Sequence, residues 1–332
     1  MKQSGILTLG ETILVAGGAG YIGSHTCLRL AEAGFTPVVY DNLSNGWESF
    51  VQWGPLEVGD INDAAQLDEV FAKHRPVAVI HFAAFIEVGF SVTEPGAFYA
   101  NNVGGTLTLI EAARRAGVDK LVFSSTCATY GAPVYVPMDE KHPQAPLNPY
   151  GRSKLMVEQI LEDLDRYKSF RSVALRYFNA AGADPQSRIG EKHEPETHAI
   201  PLAIAAARGE RDKFMLFGDD YDTRDGTCVR DYIHVLDLAD AHVLALKWLL
   251  TGGETTALNL GTGTGTTVRE LVGAIERRSN RPFPLELAGR RPGDAPSLVA
   301  DNSKAAALLG WSPRYGLDEI IEHAWAWHAK AG

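Results

Sequence analysis

Short apolar runs alternate with amphipathic stretches along the chain as far as residue 178. Runs such as 13–15 and 77–80 are continuously hydrophobic, which is typical of strands that helices cover on both faces. The runs predict β-strands at 12–16, 36–40, 56–58, 77–82, 120–125 and 172–176. Apolar residues at helical spacing predict helices between them at 22–33, 64–74, 103–116 and 150–168. The alternation predicts an α/β fold built on a Rossmann-type, doubly wound parallel sheet.

The pattern changes after residue 178. The polar stretch 179–197 is too long for a simple connection, so we expect a binding loop there. Further helices are predicted at 200–208, 236–250, 268–278 and 317–329, and short strands at 213–217, 258–260 and 284–287. We therefore expect an N-terminal extension over 1–11, a Rossmann domain over 12–178, and a smaller α/β lobe made mainly of 179–332. A segment such as 230–250 is expected to return to the first domain.

Composition narrows the choice of partner. The 332 residues include 31 Lys and Arg against 41 Asp and Glu, a net charge of −10, which disfavours nucleic acid or an anionic membrane as the main partner. The start of the chain lacks the apolar core of a signal peptide, and no apolar run approaches the ~20 residues of a membrane span. Cys27, Cys127 and Cys228 are widely spaced. We expect a cytoplasmic protein without disulfides. We read no histidine pair at a zinc-binding spacing, so no metal is expected.

A glycine-rich turn follows the first predicted strand. Gly17, Gly20 and Gly23 allow a tight turn and a close approach of the backbone to a pyrophosphate at a helix N-terminus. Asp41 ends the second strand, where a carboxylate can bind both ribose hydroxyls and repel a 2′-phosphate. No Arg or Lys occurs in 42–46, so the pattern favours NAD over NADP. The alternative is that Asp41 only opens a turn.

A second candidate motif is a tyrosine and a lysine one helical turn apart. Tyr150 and Lys154 open a predicted helix, and Thr126 lies at the end of the strand before it. A phenol titrates near 10, and ionising it at neutral pH needs ~4 kcal/mol. A lysine ~5 Å away supplies roughly 3 kcal/mol at an effective dielectric of ~20. A bound, positively charged nicotinamide can supply the rest, so the pair predicts a base for a secondary alcohol. The alternatives are a half-buried aromatic and a solvated charge.

Together these motifs resemble the extended short-chain dehydrogenases/reductases. The resemblance rests on GGAGYIGSHT (17–26), DNLSN (41–45), GDI (59–61), HFAA (81–84), NNVGGT (101–106), FSST (123–126), YGRSK (150–154) and RYFN (176–179). Two further motifs, DGTCVRDYIHV (225–235) and RRPGD (290–294), make the chain similar to UDP-sugar 4-epimerases within that family. The resemblance extends from about residue 12 to residue 327.

The resemblance implies reversible C4 epimerisation of UDP-galactose and UDP-glucose, through a transient 4-keto sugar and tightly bound NAD. It assigns catalysis to Tyr150 as the base, Lys154 on the nicotinamide ribose and Thr126 on O4. It implies that the cofactor is bound by Gly17, Gly20, Tyr21, Ile22, Gly23, Asp41, Asn42, Ser44, Asn45, Asp60, Ile61, Phe82, Ala83, Ala84, Asn101, Ser124, Tyr150, Lys154, Tyr177 and Phe178. It implies that the UDP-sugar is bound by Thr126, Tyr150, Asn179, His198, Ala199, Phe217, Arg230, Tyr232, Arg291 and Asp294. A homodimer through helices 103–116 and 150–168 is also implied.

Three positions depart from the commoner family residues or vary within the family. Ile86 replaces a lysine found in some members, Phe90 replaces a glutamate, and Leu298 occupies a position that gates N-acetylated sugars. The alternatives are therefore a 4-epimerase of another UDP-sugar, such as a UDP-N-acetylhexosamine or a UDP-pentose, a sugar-nucleotide 4,6-dehydratase, or a non-catalytic NAD-binding module. The dehydratase is disfavoured because Cys127 and Ala128 follow Thr126, where that chemistry uses Asp-Glu.

Overall fold

The computed structural model describes residues 10–291 and 293–331. The strands are β1 Thr12–Ala16, β2 Thr36–Asp41, β3 Leu56–Val58, β4 Ala78–His81, β5 Lys120–Thr126, β6 Arg171–Tyr177, β7 Asn179–Ala181, β8 Phe214–Phe217, β9 Val229–Arg230, β10 Tyr232–His234, β11 Thr256–Leu260, β12 Thr266–Thr267, β13 Leu285–Ala288 and β14 Ser297–Leu298. The helices are α1 Tyr21–Glu32, α2 Ala64–His74, α3 Val88–Thr93, α4 Pro95–Phe98, α5 Thr106–Arg115, α6 Pro149–Lys168, α7 Ala199–Arg208, α8 Val235–Leu250, α9 Val268–Ser279, α10 Ser303–Leu309 and α11 Leu317–Ala331.

The central sheet has seven strands in the order β11-β6-β5-β4-β1-β2-β3, and every pairing in it is parallel. The predicted Rossmann-type α/β fold is confirmed. Ile13 and Val15 of β1 pack in one hydrophobic cluster, whereas Leu14 packs in another. All three side chains are fully buried, as a strand covered on both faces requires.

The main sheet recruits one strand from the second half of the chain. The sequence predicts a strand at 258–260 in the smaller lobe, but β11 pairs with β6 at the edge of the central sheet, with Leu258 opposite Leu175. Helix α8 packs on α1, on one face of this sheet. The predicted helix 103–116 also differs, since a π-helical turn, Tyr99–Gly105, precedes α5.

The smaller lobe consists of short sheets, β10-β7, β12-β9-β14 and β13-β8, packed with α7, α9 and α11. Its core is a separate cluster that includes Ile204, Leu271, Ile275 and Ile320. Strand β7 follows β6 after a single residue, and β10 leads directly into α8. These links hold the smaller lobe against the carboxyl end of the central sheet. Among the residues described, no helix combines the length and hydropathy needed to cross a bilayer.

Candidate active site

The turn between β1 and α1 leaves no room for a side chain at Gly17, and the first turn of α1 leaves none at Gly23. A Cβ on Gly17 would lie 2.5 Å from the backbone nitrogen of Ala83, and one on Gly23 would lie 2.2 Å from the carbonyl oxygen of Gly17. Gly17 also has a φ of +80°, which favours glycine. Helix α1 starts after Gly20, and within the described chain no side chain caps that end. Its first N–H groups are therefore available to a phosphate.

Asp41 joins the end of β2 to this glycine turn. Its Oδ2 accepts a hydrogen bond of 2.9 Å from the Ala19 amide, and its Oδ1 accepts one of 2.9 Å from the Leu43 amide. Burial raises the pKa of this carboxyl, and the two hydrogen bonds oppose that rise. The turn-opening role is therefore present, and each oxygen keeps a further lone pair that can accept from a ribose hydroxyl.

The loops after β2 and β3 meet beside Asp41. Asp60 Oδ2 accepts a hydrogen bond of 2.9 Å from Asn42 Nδ2, and the Ser44 amide donates one of 3.0 Å to Asn42 Oδ1. Ile61 is buried next to Asp60, and Asn45 follows Ser44 in the exposed loop. The structure thus brings the predicted cofactor residues of both loops to one end of the sheet.

The segment after β4 closes the other side of the turn. The Phe82 and Ala83 amides donate hydrogen bonds of 2.7 and 3.0 Å to the Ala16 carbonyl oxygen, and Ala84 continues this segment. Asn101 Nδ2 donates one of 3.0 Å to Asn102 Oδ1. Asn102 was missed from the sequence, although it is buried and binds both the backbone and a side chain of neighbouring segments.

Tyr150 and Lys154 occupy the first turns of α6. Asn148 caps this helix, since its Oδ1 accepts a hydrogen bond of 2.8 Å from the Gly151 amide. The Lys154 side chain is buried, and its Nζ donates a hydrogen bond of 2.9 Å to the Ser124 carbonyl oxygen near the end of β5. The helix therefore holds the phenol and the ammonium on one face, at the carboxyl end of the central sheet.

Burial shifts the ionisation of both groups. Burial and the neighbouring Tyr177 raise the pKa of Tyr150, and a hydrogen bond with the Thr126 side chain opposes that rise. Burial lowers the pKa of Lys154 to about 7, and the charge of Glu158 opposes that fall. We expected Lys154 to lower the Tyr150 pKa, but in the protein alone burial raises it, and the group that opposes this rise is Thr126 rather than Lys154. A phenolate at neutral pH therefore needs further positive charge at the site.

Thr126 has two roles at the end of β5. Its Oγ1 accepts a hydrogen bond of 3.1 Å from the Ala128 amide, so it caps the 3₁₀ turn Cys127–Thr129. The same side chain also lies near enough to the Tyr150 phenol to lower its pKa. Thr126 therefore caps the turn and also lies beside the Tyr150 phenol.

The family resemblance also assigned to the cofactor Tyr177, the last residue of β6, and Phe178, which follows it. The Tyr177 hydroxyl bonds to Ser124 Oγ, and burial raises the Tyr177 pKa to about 12. The Phe178 side chain packs with Tyr130 and Met138. Tyr177 therefore lies beside the Tyr150–Lys154 pair, whereas the Phe178 ring belongs to a hydrophobic cluster.

A buried ion pair behind Lys154 was missed from the sequence. Glu158 and Arg176 are 4% and 5% exposed, and Arg176 Nε lies 3.0 Å from Glu158 Oε1. Arg176 Nη1 also donates a hydrogen bond of 3.0 Å to the Tyr130 hydroxyl. The available signal was the spacing, because Glu158 follows Lys154 by one helical turn.

The predicted diphosphate residues gather in the smaller lobe. Arg230 Nη2 lies 3.4 Å from Asp294 Oδ1, and Arg291 Nε donates a hydrogen bond of 2.8 Å to Asp294 Oδ2. The Arg291 guanidinium lies 4.9 Å from the centre of the Phe217 ring. Burial raises the pKa of Cys127 to about 12, against the positive charge of Arg230. Arg230 is therefore within electrostatic reach of the residue after Thr126.

The remaining substrate candidates line the junction of the lobes. The Asn179 amide donates a hydrogen bond of 3.0 Å to the Asp231 carbonyl oxygen, and Asn179 pairs with Tyr232 between β7 and β10. Burial raises the pKa of Tyr232 to about 12, with the charges of Arg230 and Arg291 opposing the rise. Ala199 begins α7 directly after His198.

A second polar cluster surrounds His198, and our reading of the histidine spacing was wrong. His193 and His198 have four residues between them, a spacing found in zinc sites. With Glu191 and Glu196 they form the His–Glu cluster, in which one possible ligand atom from each residue lies within 4.8 Å of all the others. The sequence signal was the repeated pairing of Glu and His in 191–198.

The three positions that depart from or vary within the family divide into two groups. Ile86 and Phe90 are 40% and 47% exposed, near the start of α3. Leu298 is partly buried and pairs with Arg230 between β14 and β9. Of the three, Leu298 is therefore the one that borders the arginine site.

Comparison with known proteins gives consistent matches. The model of the NAD dependent epimerase/dehydratase family matches residues 13–261. The chain is similar to the UDP-glucose 4-epimerase of Rhizobium leguminosarum bv. trifolii, with 68% identity over 322 residues, which cover 97% of this chain and 98% of that protein.

Solved structures agree with this similarity. The UDP-glucose 4-epimerase from Brucella ovis, in complex with NAD, has a TM-score of 0.93 and 52% identity, with 96% of this chain and 98% of that chain covered. The enzyme from Bifidobacterium longum, in complex with NAD+ and UDP, has a TM-score of 0.91 and 38% identity, again over 96% of this chain and 98% of that chain.

Proposed function

The chain belongs to the NAD dependent epimerase/dehydratase family, and from this premise we propose that it interconverts UDP-glucose and UDP-galactose by inverting C4 of the hexose. The enzyme is thus an NAD-dependent isomerase of UDP-sugars. The observation that carries the proposal is the placement of the Tyr150 phenol beside the Thr126 hydroxyl, one helical turn from Lys154, at the carboxyl end of the central sheet.

The residues around the glycine turn fit NAD. Gly17 and Gly23 form a cradle that a Cβ would fill, and the uncapped start of α1 suits the pyrophosphate. Asp41 would bind the adenosine ribose, and its buried carboxylate would repel the extra phosphate of NADP. Lys154 would bind the nicotinamide ribose. When bound, NAD would supply reversible hydride transfer at C4, as acceptor in its oxidised form and as donor in its reduced form.

Tyr150 would take the O4 proton and later return it. Its pKa is raised in the protein alone, so the ionised form requires the combined positive charge of Lys154 and the oxidised nicotinamide. The Thr126 hydroxyl would hold O4 through a hydrogen bond and keep the hexose within reach of the phenol. Proton transfer by a positioned group of this kind contributes about 10²–10⁴-fold to a rate.

Arg230 and Arg291 would bind the UDP diphosphate. Both arginines are paired with Asp294, so this carboxylate orients them before an anion arrives. Guanidinium groups form strong, bidentate hydrogen bonds with phosphate oxygens. The protein would thus hold the UDP part firmly and the hexose loosely. The 4-keto hexose could then rotate and present either face of C4, which inversion requires.

The direct test uses the purified protein with UDP-galactose and no added NAD. We expect UDP-glucose to form, and we expect protein denaturation to release NAD in near-stoichiometric amount. A protein that contains NAD but converts neither UDP-galactose nor UDP-glucose would refute the proposed reaction. A 4,6-dehydratase product would contradict it as well.

Leu298 supports a second candidate, the 4-epimerisation of another UDP-sugar. Leu298 lies next to Arg230 because the two residues pair between neighbouring strands. Its side chain is intermediate in size between a small residue and tyrosine, so it leaves the acceptance of N-acetylated sugars open. A competition assay among UDP-galactose, UDP-N-acetylgalactosamine and a UDP-pentose separates the candidates through their kcat/KM ratios. Preference for UDP-galactose would support the first proposal, and preference for another sugar would support the second.

We also propose that the chain forms a homodimer in the cytoplasm. Apolar side chains are exposed on neighbouring helices, among them Val92 on α3, Leu107 on α5 and Met156 on α6, and such a patch suits an interface. The cysteines are free thiols, which suits a reducing compartment. Light scattering on the wild type and on Leu107→Glu tests the dimer, and a wild-type mass equal to one chain would refute it.

A further inference from the structure

The His–Glu cluster lies outside the Tyr150–Thr126 pair, and of its four residues only His198 was assigned to the UDP-sugar by the family resemblance. We propose that Glu191, His193, Glu196 and His198 bind one divalent transition-metal ion of the zinc type. The argument rests on the distances between donor atoms, on one imidazole nitrogen without a hydrogen bond, and on the position of the segment beside the glycine turn.

The possible donor atoms lie close enough together to share one ion, since one atom from each residue lies within 4.8 Å of all the others. Zinc binds imidazole nitrogen and carboxylate oxygen at about 2.0–2.2 Å, so neighbouring ligand atoms lie about 3.3–3.5 Å apart. His193 Nδ1 lies 3.6 Å from Glu191 Oε1 and 3.6 Å from Glu196 Oε2. His198 Nδ1 lies 3.1 Å from Glu191 Oε1 and 2.9 Å from Glu196 Oε1. The His193 separations are close to the tetrahedral value, whereas the 2.9 Å contact between His198 and Glu196 is a hydrogen bond that a bound ion would replace.

Hydrogen bonding accounts for the position of His198, whose Nδ1 bonds to Glu196 Oε1, but not for that of His193. His193 Nδ1 is buried and has no hydrogen-bond partner among the described residues. Its distances of 3.6 Å to both carboxylates are too long for hydrogen bonds. Nδ1 nevertheless lies between the two carboxylates, which a shared cation explains. Two imidazoles and two carboxylates are also a donor set that zinc accepts.

The cluster is built on an anchored segment. The Glu191 side chain is 5% exposed, and the Glu191 carbonyl oxygen accepts a hydrogen bond of 2.9 Å from Trp327 Nε1 of α11. The Lys192 ammonium lies 3.4 Å from the centre of the Trp47 ring. A buried carboxylate is stable when it is paired or binds a metal. The segment therefore offers a site whose ligands are held before an ion binds.

The metal would fix this segment against the nucleotide-binding helix. The His193 ring meets the Tyr21 ring edge to face, with centres 6.3 Å apart, and Tyr21 is the first residue of α1. His198 lies directly before α7. The ion would thus tie the loop of the smaller lobe to the start of α1, and its expected effect is structural, because four protein ligands leave no open position.

The test measures Zn²⁺ binding to the full chain with its NAD retained. After dialysis against a chelator, we expect titration with Zn²⁺ to show one tight site in the wild type. We expect Co²⁺ at the same site to give the visible absorption of a tetrahedral complex. His193→Ala and Glu196→Gln should each weaken binding at least tenfold.

His74→Ala is the matched control, because His74 Nε2 lies 2.6 Å from Glu57 Oε1 in a His–Glu pair elsewhere. It should keep the wild-type affinity. Equal binding by the wild type and His193→Ala would overturn the proposal, since the ion would then bind at other groups. Absence of a tight site in the wild type would overturn it too.

Thermal unfolding distinguishes a variant that has lost the metal ligand from one that does not fold. Zn²⁺ should raise the midpoint of the wild type and of His74→Ala, because a ligand that binds only the folded state stabilises it. The midpoint of Glu196→Gln without metal should stay close to that of the metal-free wild type, and Zn²⁺ should not raise it. A midpoint that rises equally in Glu196→Gln would contradict the site. None of these readouts depends on epimerase activity, so they fail or succeed separately from the proposed reaction.

Discussion

Glu158 and Arg176 form a buried ion pair one helical turn beyond Lys154. Arg176 Nε lies 3.0 and 3.1 Å from the two oxygens of Glu158, and Ser125 Oγ also donates to this carboxylate. The charge of Glu158 raises the pKa of Lys154 against the effect of burial. The pair therefore supports both the packing behind the site and the charge of its lysine.

We predict that Glu158→Gln destabilises the protein by about 3–5 kcal/mol, because it leaves the buried Arg176 charge without its partner. Urea unfolding measures the free energy. Glu162→Gln is the control, since Glu162 is exposed on the same helix and its substitution should cost within about 0.5 kcal/mol. Equal losses in the two variants would show that the ion pair contributes nothing to the fold.

Lys154 gives a prediction about pH. Burial lowers its pKa to about 7 in the folded protein, whereas a lysine in the unfolded chain titrates near 10.4. Between these values the unfolded chain binds more protons, so the stability contributed by this position rises with pH. This contribution to the free energy of unfolding is complete above the pKa of the unfolded lysine, and it is lost as the pH falls through the folded pKa of about 7.

Lys154→Met should therefore remove a stability slope of at most about 1.4 kcal/mol per pH unit. Denaturant unfolding at pH 7, 8 and 9 measures the difference between wild type and variant. Lys168→Met, at the exposed end of the same helix, should leave the slope unchanged. If the free energy of unfolding depends on pH equally in Lys154→Met and in the wild type, a group other than Lys154 takes up the proton.

Gly17 and Gly117 separate backbone strain from steric exclusion. Their φ angles are +80° and +79°, but a Cβ on Gly17 would lie 2.5 Å from the Ala83 nitrogen, whereas none of the described atoms lies within 4 Å of one on Gly117. Gly117→Ala should cost about 1–2 kcal/mol, the strain of the left-handed conformation.

Gly17→Ala should cost about 1–3 kcal/mol more, because the clash adds to the strain, and should lose most of its bound NAD. Unfolding free energies and the NAD released on denaturation measure both effects. Gly17→Ala with full NAD content would exclude the glycine turn as the pyrophosphate cradle.

The local parts of this structure could be predicted from the sequence. The strand at 12–16 matches β1, and the glycine turn follows it, because continuous hydrophobicity and a close approach of backbone segments both leave a mark on neighbouring residues. Tyr150 and Lys154 could be paired because helical spacing alone puts them on one face.

The contacts between residues far apart in the chain could not be predicted from the sequence. Arg176 meets Glu158 across two elements, and β11 pairs with β6 far along the chain; hydrophobic periodicity carries no information on such partners. The lowered pKa of Lys154 depends on burial that only the folded chain creates. The pairing of His193 with Glu191 and Glu196 was visible as spacing, but only the fold of the loop shows that the donors converge.

Tyr150 provides the sharpest test of the chemistry. Tyr150→Phe removes the hydroxyl that would exchange the O4 proton, while the arginines near Asp294 remain. We predict a fall in kcat of about 10²–10⁴-fold, the usual contribution of a positioned acid or base, with the affinity for UDP unchanged within threefold. Turnover of UDP-galactose and calorimetric binding of UDP measure the two quantities. Tyr167→Phe is the control, because Tyr167 lies on the same helix with 69% of its surface exposed. Turnover in Tyr150→Phe within tenfold of wild type would require a different base, and loss of UDP affinity would mean that the phenol holds the substrate.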